Sequence, residues 1–566
     1  MAFLLPEAIA MLKKYLLVLL LSISTCCLQA QYFTNPVLAG FYPDPSICAA
    51  NGKYYLVNST FSYFPGLPVF ESTDLINWTQ IGNAIDRKEQ LPDLKNGGVS
   101  RGLFAPAIRY HQELFYITCT LIDKGGNFVI TAANPAGPWS NPVWTPKVHG
   151  IDPSLFFDDD NKAYIIYNSD APDQKPEYDG HRTIKIIGYD LQEQKTTGEP
   201  VIVVNKGSAN SINPIWIEGP HIYKKDGWYY LTAAEGGTGY NHSQVVFRSR
   251  QVTGPYESYD KNPILTQRHL DKTRPNPITT VGHADFVQAP NGDWYAIFLG
   301  CRPYDDDYYN TGRETFMAPV KWIDGWPVIN PDIEEVQYRY PITHTAVYKK
   351  SSYTGNYIFK DNFKNRTLDK RYLQLRIGEE NWYQLLPGKG LSLATRPSTI
   401  EENSNPSFIG FRQGYVNGTT EVKLDFTPAS ENEQAGLIIF QNEKHYYFFA
   451  KTIINGKLAI TLYKSTGNKN VNSKPELIAS QSLSSNQTLL LKVTAEKDKY
   501  HFSYSIGANK KWVSLVKDVD ARFVSTRTAG GFVGVIHGMY TTSNGQPSVN
   551  RALFQSFLSA SNDKTP

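Results

Sequence analysis

The chain of 566 residues is 41% hydrophobic and 19% charged, the makeup of a folded soluble protein, and it is too long for a single core, so two or three domains are expected. A formal charge of +3 without a long basic run argues against nucleic acid or an anionic membrane surface as the main partner. Aromatic residues reach 13%, with 36 Tyr, and because Tyr and Trp favour strands the composition predicts an all-β protein.

The N-terminus has the pattern of an export signal. Lys13 and Lys14 precede an apolar run from Tyr15 to Leu21, and Leu28-Gln29-Ala30 offers a cleavage site, so residues 1–30 are predicted to be a signal peptide. The apolar run is too short to span a membrane, and the mature chain is expected to be secreted or periplasmic. A lipid anchor at Cys26 or Cys27 is the competing reading. After cleavage Cys48, Cys119 and Cys301 remain, an odd and sparse set that predicts buried thiols rather than a disulfide framework.

Downstream, one pattern recurs five times. A small, acidic or His leader is followed by an apolar step, a turn and an aromatic-rich strand. The leaders are Asp44, Ala105, Asp152, Gly219 and His283, with Glu218 directly before the fourth. Asn51-Gly52, Asp226-Gly227 and Asn291-Gly292 are hairpin turns by composition. Outer hairpins are expected at Asp74 to Trp78, Pro135 to Trp139 and Val252 to Tyr256. Five such units predict a five-bladed β-propeller over 31–345. A linker over 346–358 follows, then a β-sandwich over 359–560, where alternating runs such as Glu421 to Phe426 lack the propeller repeat. Residues 561–566 are expected to form a disordered tail.

Radial repetition brings the innermost strands, and so the leaders, to one mouth of the central channel. Three carboxylates there, Asp44, Asp152 and Glu218, would push one another's pKa values apart, as acid–base catalysis requires. Glycoside hydrolysis needs one protonated carboxyl for the leaving oxygen and one carboxylate to activate water. Asp-Pro and Glu-Gly-Pro also serve as turn chemistry at strand starts, but that reading does not explain acids at three of five repeats.

Several segments resemble glycoside hydrolase family 43: Phe41-Tyr42-Pro43-Asp44-Pro45-Ser46, Gly150-Ile151-Asp152-Pro153-Ser154, Ile217-Glu218-Gly219-Pro220-His221, Gly282-His283-Ala284-Asp285 and Gly312-Arg313-Glu314-Thr315-Phe316. The likeness is greatest to its β-xylosidase and α-L-arabinofuranosidase members, whose propeller precedes a concanavalin-A-like (jelly-roll) sandwich. The resemblance implies Asp44 as general base and Glu218 as general acid. It implies Asp152 as an ionised third carboxylate that keeps the proton on Glu218. It further implies Phe61 and Phe104 as walls of the sugar subsite, Arg313 as a contact to sugar and carboxylates, and His283 as an axial His.

No cofactor is required by this chemistry. A central calcium ion near His283 is the one cation the resemblance suggests, although calcium takes six to eight oxygen ligands. The acid runs Asp158 to Asp160 and Asp305 to Asp307 are expected to be solvated turns. In some relatives a Phe from the sandwich closes the pocket. Here Thr528 of Thr528-Ala529-Gly530-Gly531-Phe532 stands at that position, which leaves the closing residue open.

The expected activity is exo-hydrolysis of xylo-oligosaccharides with inversion, releasing xylose and some arabinofuranose. A dedicated α-L-arabinofuranosidase acting on arabinoxylan is the alternative within the class. A non-catalytic carbohydrate-binding propeller is the alternative outside it.

Overall fold

The computed structural model describes residues 31–342, 353–378, 381–467, 474–507 and 511–564. The expected signal segment, with Cys26 and Cys27, most of the linker and the last two residues lie outside the described residues.

Five four-stranded antiparallel units follow one another in the first domain. The first runs through Ser46–Ala50, Lys53–Val57, Gly66–Ser72 and Thr79–Ile85, and the second through Ala107–His111, Leu114–Leu121, Gly126–Ala132 and Val143–Trp144. The third comprises Ile151–Phe157, Ala163–Asp170, Arg182–Asp190 and Lys195–Asn205. The fourth comprises Glu218–Lys225, Trp228–Glu235, Ser243–Ser249 and Glu257–Ser258, with Leu265–Thr266 also paired to Ser243–Ser249. The fifth comprises Thr279–Gln288, Trp294–Cys301, Glu314–Ile323 and Trp326–Ile329. The strands of each blade pair in sequence order, so hairpins alone build it. Asn51 and Gly52, like Asp226 and Gly227, both have positive φ, as the tightest hairpin turn demands. The outer turns fall where composition placed them; Asp74, for instance, accepts bonds from the amides of Ile76 and Asn77 at 3.0 and 2.8 Å.

Two clasps close the ring. At the rim, Gln31–Thr34 pairs with Arg339–Ile342, joining the start of the domain to its end. On the axis, each innermost strand contributes at least one polar side chain to a buried chain of contacts. Asp285 of the fifth blade accepts from the Ser46 hydroxyl of the first (2.6 Å) and from both Nη atoms of Arg109 of the second (2.7 and 3.1 Å). Arg109 also donates to His221 Nδ1 of the fourth blade (2.9 Å), which lies 2.8 Å from the Ser154 hydroxyl of the third. Tyr223 adds a 2.5 Å bond to Asp285, which is fully buried. Burial alone would raise the Asp285 carboxyl, but Arg109 and the other donors outweigh it and hold it below the usual carboxylate range. Burial pushes the His221 imidazole down to about 3, so it is neutral and can accept from Arg109.

The second domain is a sandwich of two antiparallel sheets. One contains Gly390–Ala394, Arg551–Ser561, Asn417–Asp425, Leu489–Glu496 and Lys499–Ile506; the other contains Ser407–Arg412, Ile536–Thr542, Gln434–Asn442, His445–Ile454 and Lys457–Lys464. Strict alternation along Asn417–Asp425 turns Val422 and Leu424 into the core between the sheets.

The domains share structure. Gln374–Leu375 of the second pairs with Tyr63–Phe64 of the first blade. Phe41, Phe61, Tyr63 and Val99 of the propeller form one buried cluster with Leu373, Leu375, Phe408, Val533 and Ile536 of the sandwich. Arg376, fully buried, donates to the Gly97 carbonyl across the boundary (2.7 Å) and pairs with Glu443. Asp563, expected in a disordered tail, is instead tied down. It accepts from the amides of Val416 (3.0 Å) and Asn417 (2.6 Å) and forms an ion pair with Arg302 of the propeller (3.0 Å). Cys48, Cys119 and Cys301 are buried free thiols.

Candidate active site

Strand geometry alone would point the leaders along the sheets, but local irregularities re-aim them. The pairing register shifts between Ile151 and Ser154, between Glu218 and His221, and on both sides of Gly282. Asp44, Asp152 and His283 all have positive φ, of 49°, 56° and 54°. Such bulges turn side chains out of the pleat and recur beside active sites. The result is that Asp44, Asp152 and Glu218 act electrostatically on one another, as the sequence reading required.

Asp44 is buried and held at both oxygens. Arg313 Nη1 donates to Oδ1 at 2.6 Å, and Arg313 Nη2 and the Ser59 hydroxyl donate to Oδ2 at 3.3 and 2.5 Å. Glu314 is taken by Arg302, with bonds of 2.6 and 2.9 Å, which leaves Arg313 for Asp44.

Glu218 is pushed up from 4.5 to about 7. Burial is the main cause and the Asp44 charge the second, partly offset by Arg313, Arg182 and a bond from Thr238. Asp152 is raised well above the usual carboxylate range, first by burial and then by Glu218 and Asp44, although the Gly219 amide donates to it at 3.1 Å. Burial and the two neighbouring carboxylates thus work against the ionised Asp152 that the sequence reading expected. Both carboxyls resist ionisation, and close ionisable neighbours of this kind titrate as a pair.

The aromatic wall also differs in detail from the sequence reading. Phe61 is only 2% exposed and stacks on Phe41 (6.0 Å between centroids) and on Phe532 (5.8 Å). Phe104, partly exposed, meets Phe61 edge-on at 5.4 Å and Phe532 at 5.9 Å. Phe532, 36% exposed, is thus the sandwich's contribution to the mouth, with the Arg313 guanidinium 5.6 Å from its ring. Thr528 does not take that place. It sits in the single helical turn Thr526–Ala529, its amide bonded to the Ser525 carbonyl at 3.1 Å.

Contacts to the propeller fix the Phe532 loop. The Phe532 amide donates to the Ser100 hydroxyl (2.9 Å), and the Val535 amide donates to the Asn310 carbonyl (2.8 Å). Gly312 has φ 72°, and a Cβ there would come within 2.8 Å of Gly534, so the loop can lie directly against the strand that presents Arg313. A Phe following two glycines in a polar loop was the available signal for Phe532.

His283 is buried, lowered by that burial, and its ring packs over Gly219. Among the described residues no three His, Cys, Asp or Glu side chains are grouped to hold a metal ion. No helix among the described residues is long and apolar enough to cross a membrane.

A raised carboxyl facing a second carboxylate that is locked by Arg and Ser donors, in the mouth of a five-bladed propeller, is the equipment of a glycosidase that works by acid–base chemistry. Residues 33–327 match the family model described as glycosyl hydrolases family 43, and 360–558 match the beta xylosidase C-terminal concanavalin A-like domain; the chain belongs to this family. It is 39% identical over 523 residues to a xylosidase/arabinosidase of Butyrivibrio fibrisolvens, covering 91% of this chain and 97% of that one. It is 36% identical over 551 residues to a non-reducing end alpha-L-arabinofuranosidase of Bacteroides ovatus, covering 96% and 98%. Among solved structures, a family member retrieved from a capybara gut metagenome superposes with a TM-score of 0.84 at 39% identity, covering 92% of this chain and 96% of that one.

Proposed function

We propose that the enzyme removes the terminal xylose from xylo-oligosaccharides with inversion, and that it accepts terminal L-arabinofuranose in the same pocket. The observation that carries this reading is the Glu218 carboxyl, raised to about 7 at the leader of the fourth blade by burial and by Asp44. At neutral pH Glu218 holds a proton to give to the leaving oxygen. Asp44, fixed by Arg313 and Ser59, accepts a proton from the attacking water. Asp152 shares the acid's proton and keeps it available. Phe532 and Phe104 present ring faces and edges to the sugar, and the curated relatives with xylosidase and arabinosidase names support both substrates. The lysine-led apolar start of the chain supports action outside the cytoplasm after loss of residues 1–30.

A dedicated α-L-arabinofuranosidase is the second reading, favoured by the Bacteroides ovatus relative. One experiment addresses mechanism and substrate together. Xylobiose and an aryl arabinofuranoside are followed by NMR from the first turnovers with wild type, Asp44→Asn and Glu218→Gln. The expected result is inverted xylose, with each variant slowed on xylobiose by about 10²–10⁴-fold. A product of retained configuration, or near-normal turnover by either variant, overturns the mechanism. Turnover of the arabinofuranoside alone decides for the second reading.

A further inference from the structure

The segment that leads into the acid carries an aromatic ring that the mechanism above does not use. Trp216 lies two residues before Glu218 and is 40% exposed, although its backbone is held on several sides. Its amide donates to the Gly180 carbonyl at 2.8 Å, and the neighbouring Ile215 carbonyl accepts from the Gly236 amide at 2.9 Å. Tyr178 donates to the Pro214 carbonyl at 2.7 Å. Trp216 has φ 54°, a conformation that bulky residues rarely adopt and that persists where the surroundings over-determine it. A Cβ at Gly180 would lie 3.2 Å from the indole nitrogen and closer still to Ile215, so Gly180 leaves the indole edge its seat. The Arg182 guanidinium stands over the ring at 5.3 Å and is itself braced by Asn168 (3.1 Å) and Asp170.

This ring belongs to the acid's side of the mouth. The charge of Arg182 acts on Glu218 and draws its pKa down, and Thr238, which bonds Glu218, follows directly on Gly237, whose Cβ position is 3.6 Å from the indole. The acid protonates the leaving oxygen, so a ring fixed around the acid rather than around Asp44 meets the leaving group. An exposed aromatic face gives the C–H face of a pyranose a large, rigid apolar contact at low entropic cost.

We propose that Trp216, seated by Gly180 and Arg182, is the platform for the leaving-group sugar, so that the enzyme selects substrates with a pyranose ring on the reducing side of the scissile bond. This rests on the glycosidase reading above.

The test compares xylobiose with β-D-xylosyl fluoride, whose leaving group has no ring. For Trp216→Ala the ratio of kcat/KM on xylobiose to that on the fluoride is expected to fall about tenfold, the worth of one ring contact, and Trp216→Phe is expected to restore most of it. Turnover of the fluoride by the variant reports an intact fold and base, and an alkaline limb of kcat/KM on xylobiose that stays at the wild-type pH reports an intact acid. A ratio that stays at the wild-type value, or a Phe variant as impaired as the Ala variant, overturns the platform. The glycosidase reading is judged separately on wild type alone. If wild type hydrolyses neither xylosyl nor arabinofuranosyl fluoride, that reading fails and the platform falls with it.

Discussion

Replacing Asp152 by Asn removes one partner of the proton-sharing pair while keeping its size. In the native site, burial and Asp44 lift Glu218 from 4.5 to about 7, a difference worth roughly 3 kcal/mol at 1.36 kcal/mol per pH unit. Asp152 is raised as well, by burial and by the charges of Glu218 and Asp44. As pH rises past 7 the native pair therefore gives up its protons in two steps, and one proton remains to be found on Glu218 for part of the time. In Asp152→Asn only Glu218 titrates. Burial and Asp44 still raise it, so the acid form is lost as pH rises, falling tenfold per pH unit beyond its pKa.

The alkaline limb of kcat/KM is thus expected to lie at lower pH in the variant than in wild type. Xylobiose, which needs a proton on a poor leaving group, should suffer more than an activated aryl xyloside. The assay is the pH dependence of kcat/KM for both enzymes on both substrates. A variant limb that coincides with the native one, with equal losses on the two substrates, would refute the shared proton and leave Asp152 as a turn residue.

Two further outcomes are expected. Phe532→Ala removes the sandwich's ring from the mouth and should cut kcat/KM on xylobiose by about tenfold, chiefly through KM, as one lost stacking contact would; an unchanged KM would show that the ring faces away from the sugar. Asp285→Asn leaves the buried Arg109 guanidinium without its charge partner and should cost about 3–5 kcal/mol of stability in urea unfolding. A loss below about 1 kcal/mol would mean that the axial contacts are incidental.

The repeat made the propeller legible, because each blade is built by hairpins whose turn residues and aromatic strands announce themselves locally. The three carboxylates were legible for the same reason: they stand at equivalent places in the repeat. What the sequence hid depends on distance across the fold. Asp285, His221, Ser154 and Ser46 each lie two residues past a leader, and the two-residue period of a strand puts them on the axis-facing side. Read alone, however, they look like ordinary polar residues. Arg109 falls two positions later still, because the small Ala107 occupies the equivalent place. Phe532 was hidden because its neighbours Phe61 and Ser100 are more than 400 residues away, and motif matching pointed to Thr528. The anchoring of Asp563 was hidden because composition marks a polar chain end as loose, while its partner Arg302 lies in the other domain.

The two clasps sit at different radii, and this bears on how the active site withstands motion. The rim clasp is a short strand pair, Gln31–Thr34 with Arg339–Ile342. The axial contacts join the first blade to the fifth through Ser46 and Asp285, which lie two residues past Asp44 and His283. Opening at the rim therefore need not spread the catalytic carboxylates, since the spacing among them is set at the hub. Registration of the blades is checked in the same place. A propeller that closed with one strand slipped would leave a buried carboxylate or guanidinium unanswered, so the closed ring and the aligned acid and base are selected together.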